Sequence, residues 1–452
     1  MRAILILSKM KRIYIKELEN NIGQEVLISG WVDVRRDQGK MIFFEFRDVS
    51  GKIQGVILPN AKEAHVVGST LRPEWVVSVL GKVNARPEKN IQKDKLNGAI
   101  ELEILSIEVL SEAKEVPFEL NTEVNLDTHL DYLPFTLRNA RTRDIFKMQA
   151  SILNAYRNSL ASQGFTEFIA PALVGGDAEG GAAAFKVEYF YDKTAFLATS
   201  PQLYKQIMVG SFERVFTIAK VFRAEKSATT RHISEITQMD FEMGFIEDET
   251  APMQVLEAVV RDTVEAVTKK HSDIFARFNT TPPEIPAKIP VFTLKDAHAL
   301  IAKEFNRTIE DVYDMAPEDE RQICEYAKKN LKSDFVFITK FPTKKRAFYT
   351  YEEPTEAPFS RGFDLLFRGL EINSGAQRIN NYESLVARMK DRGLDPEKFS
   401  FYLQAFKYGM PPHGGSSTGL ERFTARMLEI TNVKEATAFP RDLNRIDTLL
   451  SQ

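Results

Sequence analysis

Apolar and polar positions alternate in short runs through the first hundred or so residues, at Val26–Ser29, Met41–Phe46, Ile53–Leu58, Val76–Val83 and Ile100–Val109. Turn-forming residues separate the runs at Asp37-Gln38-Gly39, Ser50-Gly51 and Asn97-Gly98. Five half-buried strands at this spacing predict a small closed barrel of the OB-fold kind, and a Greek-key sandwich has the same period. Residues 111–135 lose the period and carry Pro117 and Pro134, so a linker is expected there. The pattern then changes. Ile145, Met148, Ile152, Leu153, Tyr156 and Leu160 recur at helical spacing and predict a helix over Ala140–Ser162 that ends at Gly164. Strands are expected at Ala195–Thr199, Val215–Phe222, Ile236–Phe245 and Gly362–Ile372. They do not alternate regularly with helices, which disfavours a parallel βαβ sheet and favours an antiparallel α+β core. Residues 290–335 read as helical and charged, and a helical insertion is expected there. The resulting division is 10–110, a linker over 111–135, and 136–452.

Composition narrows the classes. At 452 residues the chain exceeds one ordinary domain, and 43% apolar with 27% charged residues is a globular balance. No apolar run approaches the roughly 18 residues of a membrane span. The opening MRAILILSK is too short in its apolar part for a secretory leader, and Met10 is an alternative start. A cytoplasmic location without membrane association is therefore expected. A single cysteine, Cys324, excludes an intrachain disulfide framework and a cysteine-rich metal site, and six scattered histidines disfavour zinc. Net charge is −3, but residues 1–110 hold 17 Lys and Arg against 14 Asp and Glu. That local excess of three suits a specific anionic partner better than general nucleic-acid coating, and a solvated surface gives the same balance.

Three segments carry chemistry. In Val215–Phe245 two alternating runs flank a polar loop, with Arg223 and Glu225 at the end of one strand and Arg231 and His232 in the loop. Gln238, Asp240 and Glu242 share one face of the return strand, and Met239, Phe241 and Met243 the other. Arginine grips phosphate and carboxylate through a planar fork, so this hairpin suits a polyanion; a solvent-facing charged hairpin is the alternative. In Ser360–Ile379, Asp364 and Glu371 interrupt an apolar strand pair. Carboxylates there need a partner, either Mg²⁺ or an arginine such as Arg368 or Arg378. In Pro411–Arg426, small residues lead into an amphipathic helix carrying Glu421 and Arg422, with neither a Walker A nor a GxGxxG pattern.

Together these segments resemble the signature motifs of the class II aminoacyl-tRNA synthetases, in order and across nearly the whole chain from Met10. Gly164-Phe165-Thr166-Glu167 with Pro171 is similar to motif 1, Phe222-Arg223-Ala224-Glu225 through Arg231-His232 to motif 2, and Gly419-Leu420-Glu421-Arg422 to motif 3. Within the aspartyl, asparaginyl and lysyl subgroup the marks SPQLYKQIM (200–208), FDLLFRGLEINSGAQRI (363–379) and FPRD (439–442) resemble the compact archaeal-type aspartyl enzymes. The resemblance implies an OB-fold anticodon domain, a class II catalytic domain, dimerisation through motif 1, and ligation of L-aspartate to tRNA-Asp at the expense of ATP with Mg²⁺. tRNA-Asn remains open as a second acceptor.

It also implies residue roles. Arg223 and Arg422 are the expected catalytic cations. Glu179, Gln202, Lys205, Arg223, Ser374 and Arg378 are expected to hold aspartate. Arg223, Glu225, Arg231, His232, Ile233, Glu371, Gly419, Leu420, Glu421 and Arg422 are expected at ATP, and Asp364, Glu371 and Ser374 at Mg²⁺. Arg36, Phe43, Gln54 and Glu101 are expected to read the anticodon, although Phe43 by its neighbours also reads as barrel core. The competing functions are an asparagine–tRNA ligase, which would not place a lysine at 205, and a non-catalytic RNA-binding paralogue, which should lack one of Arg223, Glu371 or Arg422.

Overall fold

The computed structural model describes residues 10–93, 95–176, 183–226 and 229–450. The chain divides into two compact units, Met1–Thr122 and Glu123–Gln452. In the first unit β1 (Glu25–Asp37), β2 (Ile42–Arg47), β3 (Lys52–Ile57), β4 (Val76–Ala85) and β5 (Ile100–Ser111) close into a barrel in the order β1-β2-β3-β5-β4. β1 runs well past the expected Val26–Ser29 because it serves two neighbours. Its first half pairs with β4, and its second half pairs with β2 beyond a register shift between Val32 and Val34. Such a bulge bends one strand round a small barrel. Every second residue fills the interior, among them Val26, Ile28, Val32, Ile42, Phe44 and Phe46. A helix over Lys62–Thr70 joins β3 to β4. The hydrophobic pattern does not announce it, because the residues it buries are Ala64 and Gly68, and a side chain at 68 would collide with Ile57 and crowd Phe44.

The second unit adds β6 (Thr166–Glu167), β7 (Leu173–Val174), β8 (Lys186–Tyr189), β9 (Lys193–Leu197), β10 (Arg214–Phe222), β11 (Glu235–Gly244), β12 (Val291–Thr293), β13 (Phe335–Thr339), β14 (Gly362–Phe367), β15 (Leu370–Arg378) and β16 (His413–Gly419). Eight of these make one sheet in the order β12-β13-β14-β15-β16-β11-β10-β6. Its centre is antiparallel throughout, and parallel pairs occur only at the two edges, β12 with β13 and β6 with β10. The helix Ala140–Ser162 forms over its expected span, with Asn139 capping Arg141 N. It packs with the helix Thr250–Arg277 into the main core, which also takes Phe241, Phe335, Phe363 and Phe367 from the sheet and Phe423 from the helix Leu420–Met427. β7, β8 and β9 form a separate three-stranded sheet. No helix among the described residues is long and apolar enough to cross a membrane.

Three features add detail to the expectations. The apolar run Gly362–Ile372 is a hairpin, with Arg368 (φ 46°) and Gly369 (φ 80°) forming its two-residue turn. Both residues lie in the left-handed region that tight hairpins require. The helical stretch 290–335 does not stand apart. Its helices Leu294–Glu304 and Pro317–Leu331 lie between β12 and β13, which are neighbours in the main sheet, and bury Ile301, Ile323 and Ala327 against Val336, Ile338 and Leu366. The glycine- and serine-rich run that leads into the helix at Leu420 is an interior strand, β16.

Candidate active site

β11, β15 and β16 lie side by side, and their register brings Glu242, Gly415 and Ala376 into one row. Alternation puts Gln238, Asp240 and Glu242 on one face of β11, and all three are buried. On that face lies Lys205, from the helix Gln202–Phe212, with its side chain fully buried. Its ammonium donates to the Ser416 carbonyl at 3.2 Å and lies within ion-pair distance of Asp240 Oδ2 at 2.9 Å and Glu242 Oε2 at 3.3 Å. Arg378, the last residue of β15, reaches the same carboxylate, with Nε 2.8 Å from Glu242 Oε1 and Nη2 3.3 Å from Oε2. Arg378 Nη2 also donates to the Gly415 carbonyl at 3.0 Å. Gly415 makes this meeting sterically possible, because a Cβ there would collide with the Phe241 carbonyl and the Glu242 carboxylate. Burial alone would raise the Glu242 carboxyl; Arg378 and Lys205 overcome it and hold the group below its usual range. Beneath lies His413, fully buried, whose ring meets the Pro411 carbonyl and Gln206. Burial pushes this imidazole down to about 4, so it stays neutral.

Above this floor opens a cavity of about 360 Å³. Gln202, Ser374 and Arg378 line it, together with Arg223, Glu225, Arg231, His232 and Ile233, and with Glu371, Gly419, Glu421 and Arg422. Arg223 has a third of its side chain exposed, and its nearest ion-pair partner is Glu225 at 3.9 Å. Arg422 Nη1 donates to the Glu371 carbonyl at 3.0 Å and lies 3.5 Å from its carboxylate. Arg231 pairs with Glu320, whose Oε2 also accepts from the Glu371 backbone N–H at 2.8 Å. Burial raises the Glu320 carboxyl to about 7 against the pull of Arg231, and Glu371 adds to the rise. Desolvation and then the Asp364 carboxylate push Glu371 up as well.

Several expected residues sit elsewhere. Lys205 lies under the cavity rather than on its wall. Asp364, expected beside a metal, is held bidentately by Arg346 at 2.8 and 2.9 Å, and Arg346 Nη1 also donates to Ser374 Oγ at 3.0 Å. The partner is therefore neither Arg368 nor Arg378. Leu420 is core. Glu421 lines the cavity, but both its oxygens accept from Thr237 N at 3.0 and 3.1 Å, which anchors the helix Leu420–Met427 to β11. Glu179 and the loop around it lie outside the described residues. Sequence reasoning passed over Arg346 and Tyr349, which stand in a segment without clear period, and Glu320, one charge among many on the helix Pro317–Leu331. It saw Asp240 and Glu242 as an acidic face without seeing the cations they neutralise.

In the first unit a second cavity of about 420 Å³ is lined by Arg36, Phe43, Gln54, Lys52 and Arg86, among others. Phe43 points away from the barrel interior, since Ile42 and Phe44 on either side are the buried ones. Glu101 is not on the wall; it lies 3.9 Å from Arg86 Nε, which is.

Residues 125–443 match the family described as tRNA synthetases class II (D, K and N), and residues 26–110 match the OB-fold nucleic acid binding domain. The chain is 42% identical over 443 residues to the aspartate–tRNA(Asp/Asn) ligase of Thermus thermophilus, covering 96% of this chain and 99% of that one. It is 38% identical over 435 residues to the aspartate–tRNA(Asp) ligase of Thermococcus kodakarensis, covering 94% and 96%. Among solved structures, asparaginyl-tRNA synthetase of Pyrococcus horikoshii with asparaginyl-adenylate superposes with TM-score 0.89 at 29% identity, covering 96% and 99%. Aspartyl-tRNA synthetase of Entamoeba histolytica superposes with TM-score 0.86 at 28% identity, covering 97% and 93%. Fold likeness therefore does not separate the two amino acids, and the side chains at the cavity floor must.

Proposed function

The chain belongs to the class II tRNA synthetases of the aspartate, lysine and asparagine group, and from that premise we propose that it is an aspartate–tRNA ligase. It activates L-aspartate with ATP and passes the aspartyl group to the 3′ end of tRNA-Asp, with tRNA-Asn as a second acceptor to be tried alongside. The observation that carries the choice of amino acid is the convergence of Lys205 and Arg378, each 3.3 Å from the same oxygen of Glu242. Arg378 lines the cavity, where a small anion can meet it, and the buried Lys205 stands behind it on the same carboxylate.

The physical reason differs from the one expected from sequence. Neither cation lacks a partner, since Asp240 and Glu242 already balance them. An amide would therefore not strand a bare charge. Selection rests instead on hydrogen-bond polarity: lysine and arginine only donate, a carboxylate only accepts, and an amide must turn its NH₂ toward a donor. Arg378 forms the wall that the substrate carboxylate meets first, with Lys205 behind it.

In the first step the aspartate α-carboxylate attacks the α-phosphorus in line, and pyrophosphate leaves. In the second, the terminal 3′-hydroxyl of the tRNA attacks the resulting mixed anhydride and AMP leaves. No protein nucleophile is needed, so catalysis is positioning and charge stabilisation. Arg223, exposed at the wall and weakly paired, is placed to hold the α-phosphate and the attacking carboxylate. Arg231 and Arg422 are assigned to the polyphosphate. Desolvation first and the Asp364 carboxylate second raise the Glu371 carboxyl, and a hard cation beside the two carboxylates would relieve the second. Mg²⁺ takes one or two carboxylates and completes its shell with water and phosphate oxygens, so Glu371 fits, while Asp364 and Ser374 would join only by exchange with Arg346. When bound, the ion supplies charge neutralisation on the phosphates.

We assign the barrel cavity to the anticodon. Outward-facing Phe43 offers a stacking face, and Arg36 and Gln54 offer donors and an acceptor at its side. Phe43→Ala is expected to weaken tRNA binding in a filter or anisotropy assay by the roughly 1–3 kcal/mol of one stacked base. Barrel stability should stay within about 1 kcal/mol, because the ring is not in the core. Unchanged tRNA affinity, or a barrel that unfolds, contradicts the assignment. A homodimer belongs to the same proposal. It is supported by Ile169, 86% exposed just beyond the edge strand β6, and a sedimenting mass near 51.4 kDa would remove it. Which amino acid supports ATP–pyrophosphate exchange tests the function itself.

A further inference from the structure

Glu320 is a carboxylate in an unexpected place. It belongs to the helix Pro317–Leu331, in the excursion between β12 and β13, and does not line the cavity. Its side chain is only 8% exposed, where an unpaired carboxylate would be costly. One oxygen, Oε2, serves two groups that do line the cavity: it pairs with Arg231 Nη2 and accepts from the Glu371 backbone N–H at 2.8 Å. The excursion does not need these contacts to pack. It is held by its own apolar cluster of Leu294, Ile301, Ile323 and Ala327 against Val336, Ile338 and Leu366. Arg231 stands in the connection between β10 and β11, whose backbone is held on either side by the Val433 N–H on the Thr230 carbonyl at 3.0 Å and the Ser234 N–H on the Arg441 carbonyl at 2.6 Å, which leaves the guanidinium itself to be oriented. Its backbone N–H reaches Thr229 Oγ1 at 3.2 Å, and among the described residues Glu320 is the carboxylate within ion-pair distance of its guanidinium. A guanidinium has five N–H donors, and Glu320 engages only the Nη2 side. The remaining donors stay available to the cavity.

Resting on the reading that Arg231 and Glu371 face the ATP polyphosphate, we propose that Glu320 is a positioning residue for the nucleotide. It fixes the Arg231 guanidinium and the Glu371 backbone in advance of binding, and does not touch substrate itself. A long, flexible cation that is already oriented loses less freedom when phosphate arrives, so the gain appears in nucleotide affinity rather than in aspartate affinity. A merely structural tie between the helix and the sheet would instead appear in stability, and would affect both substrates alike.

The test uses the full chain. Glu320→Gln keeps an acceptor for the Glu371 N–H and removes the charge that holds Arg231. Calorimetric titration with ATP, without aspartate or tRNA, is expected to show about tenfold weaker binding. KM for ATP should rise by a similar factor, and KM for aspartate should stay within about twofold. In a double-mutant cycle, Glu320→Gln should add little to Arg231→Ala, because the first acts through the second. If Glu320→Gln does not fold, Glu320→Asp, one methylene shorter, carries the same expectation of weaker ATP binding. The proposal is overturned if ATP affinity is unchanged in a folded variant, if both substrates weaken equally, or if the two substitutions are additive. A parent protein that binds ATP but shows no aspartate-dependent exchange would contradict the amino-acid assignment, and the ATP titrations would still decide the role of Glu320.

Discussion

Lys205→Met is expected to destabilise the second unit by about 3–5 kcal/mol, the usual cost of removing one partner from a buried ion pair. The lysine is fully buried and bridges Asp240 and Glu242, leaving Arg378 as the single cation for two buried carboxylates. Both carboxylates sit at the centre of the sheet, where water cannot replace the lost charge. Urea unfolding of the parent and the variant measures the effect. A loss under about 1 kcal/mol would show that the cluster tolerates an unpaired charge, and would contradict the ion-pair geometry described above. Placing Asp240→Leu beside Lys205→Met removes a carboxylate with the cation and should recover part of the loss.

Arg223→Ala is expected to have the opposite signature. The side chain is a third exposed and only loosely paired with Glu225, so folding should be barely affected. Its assigned partners are the α-phosphate and the attacking carboxylate, where charge develops during the first step. Removing one such donor costs at least ~10²–10³ in rate, and a cation facing two anions should cost more. Aspartate-dependent ATP–pyrophosphate exchange should become undetectable while the melting curve stays in place. Exchange retained within about tenfold would remove Arg223 from the reaction.

The two variants mark the limits of what the sequence could convey. The barrel strands and the helix Ala140–Ser162 were legible because each buries one regular face, and periodicity reports that directly. Ser360–Ile379 was legible as a strand pair, but its turn was not placed, because Arg368-Gly369 turns within a run that is apolar on both sides and the turn depends on positive φ at an arginine. The run 413–419 showed only as small residues leading into a helix, with no strand period to read. In the sheet, Gly415 is small so that Glu242 and Arg378 can meet across it. Arg223, Arg231 and Arg422 were legible as anion-binding residues through their motifs, and the structure gathers them around one cavity. Pairings between distant segments were not legible: Arg346 with Asp364, Glu320 with Arg231, and the two carboxylates that already neutralise Lys205 and Arg378. A charge shows in sequence, but its counter-ion is set by the tertiary fold.

The most direct measurement is ATP–pyrophosphate exchange by the purified full-length chain with L-aspartate and L-asparagine supplied separately. A donor-only guanidinium at the cavity wall, Arg378, backed by the buried Lys205, predicts exchange with aspartate and at least about a thousandfold lower kcat/KM with asparagine, the discrimination expected when a site built for one hydrogen-bond polarity meets the other. Equal or better exchange with asparagine would mean that Lys205 and Arg378 are spent on Glu242 and Asp240 alone, and that the cavity does not select a carboxylate.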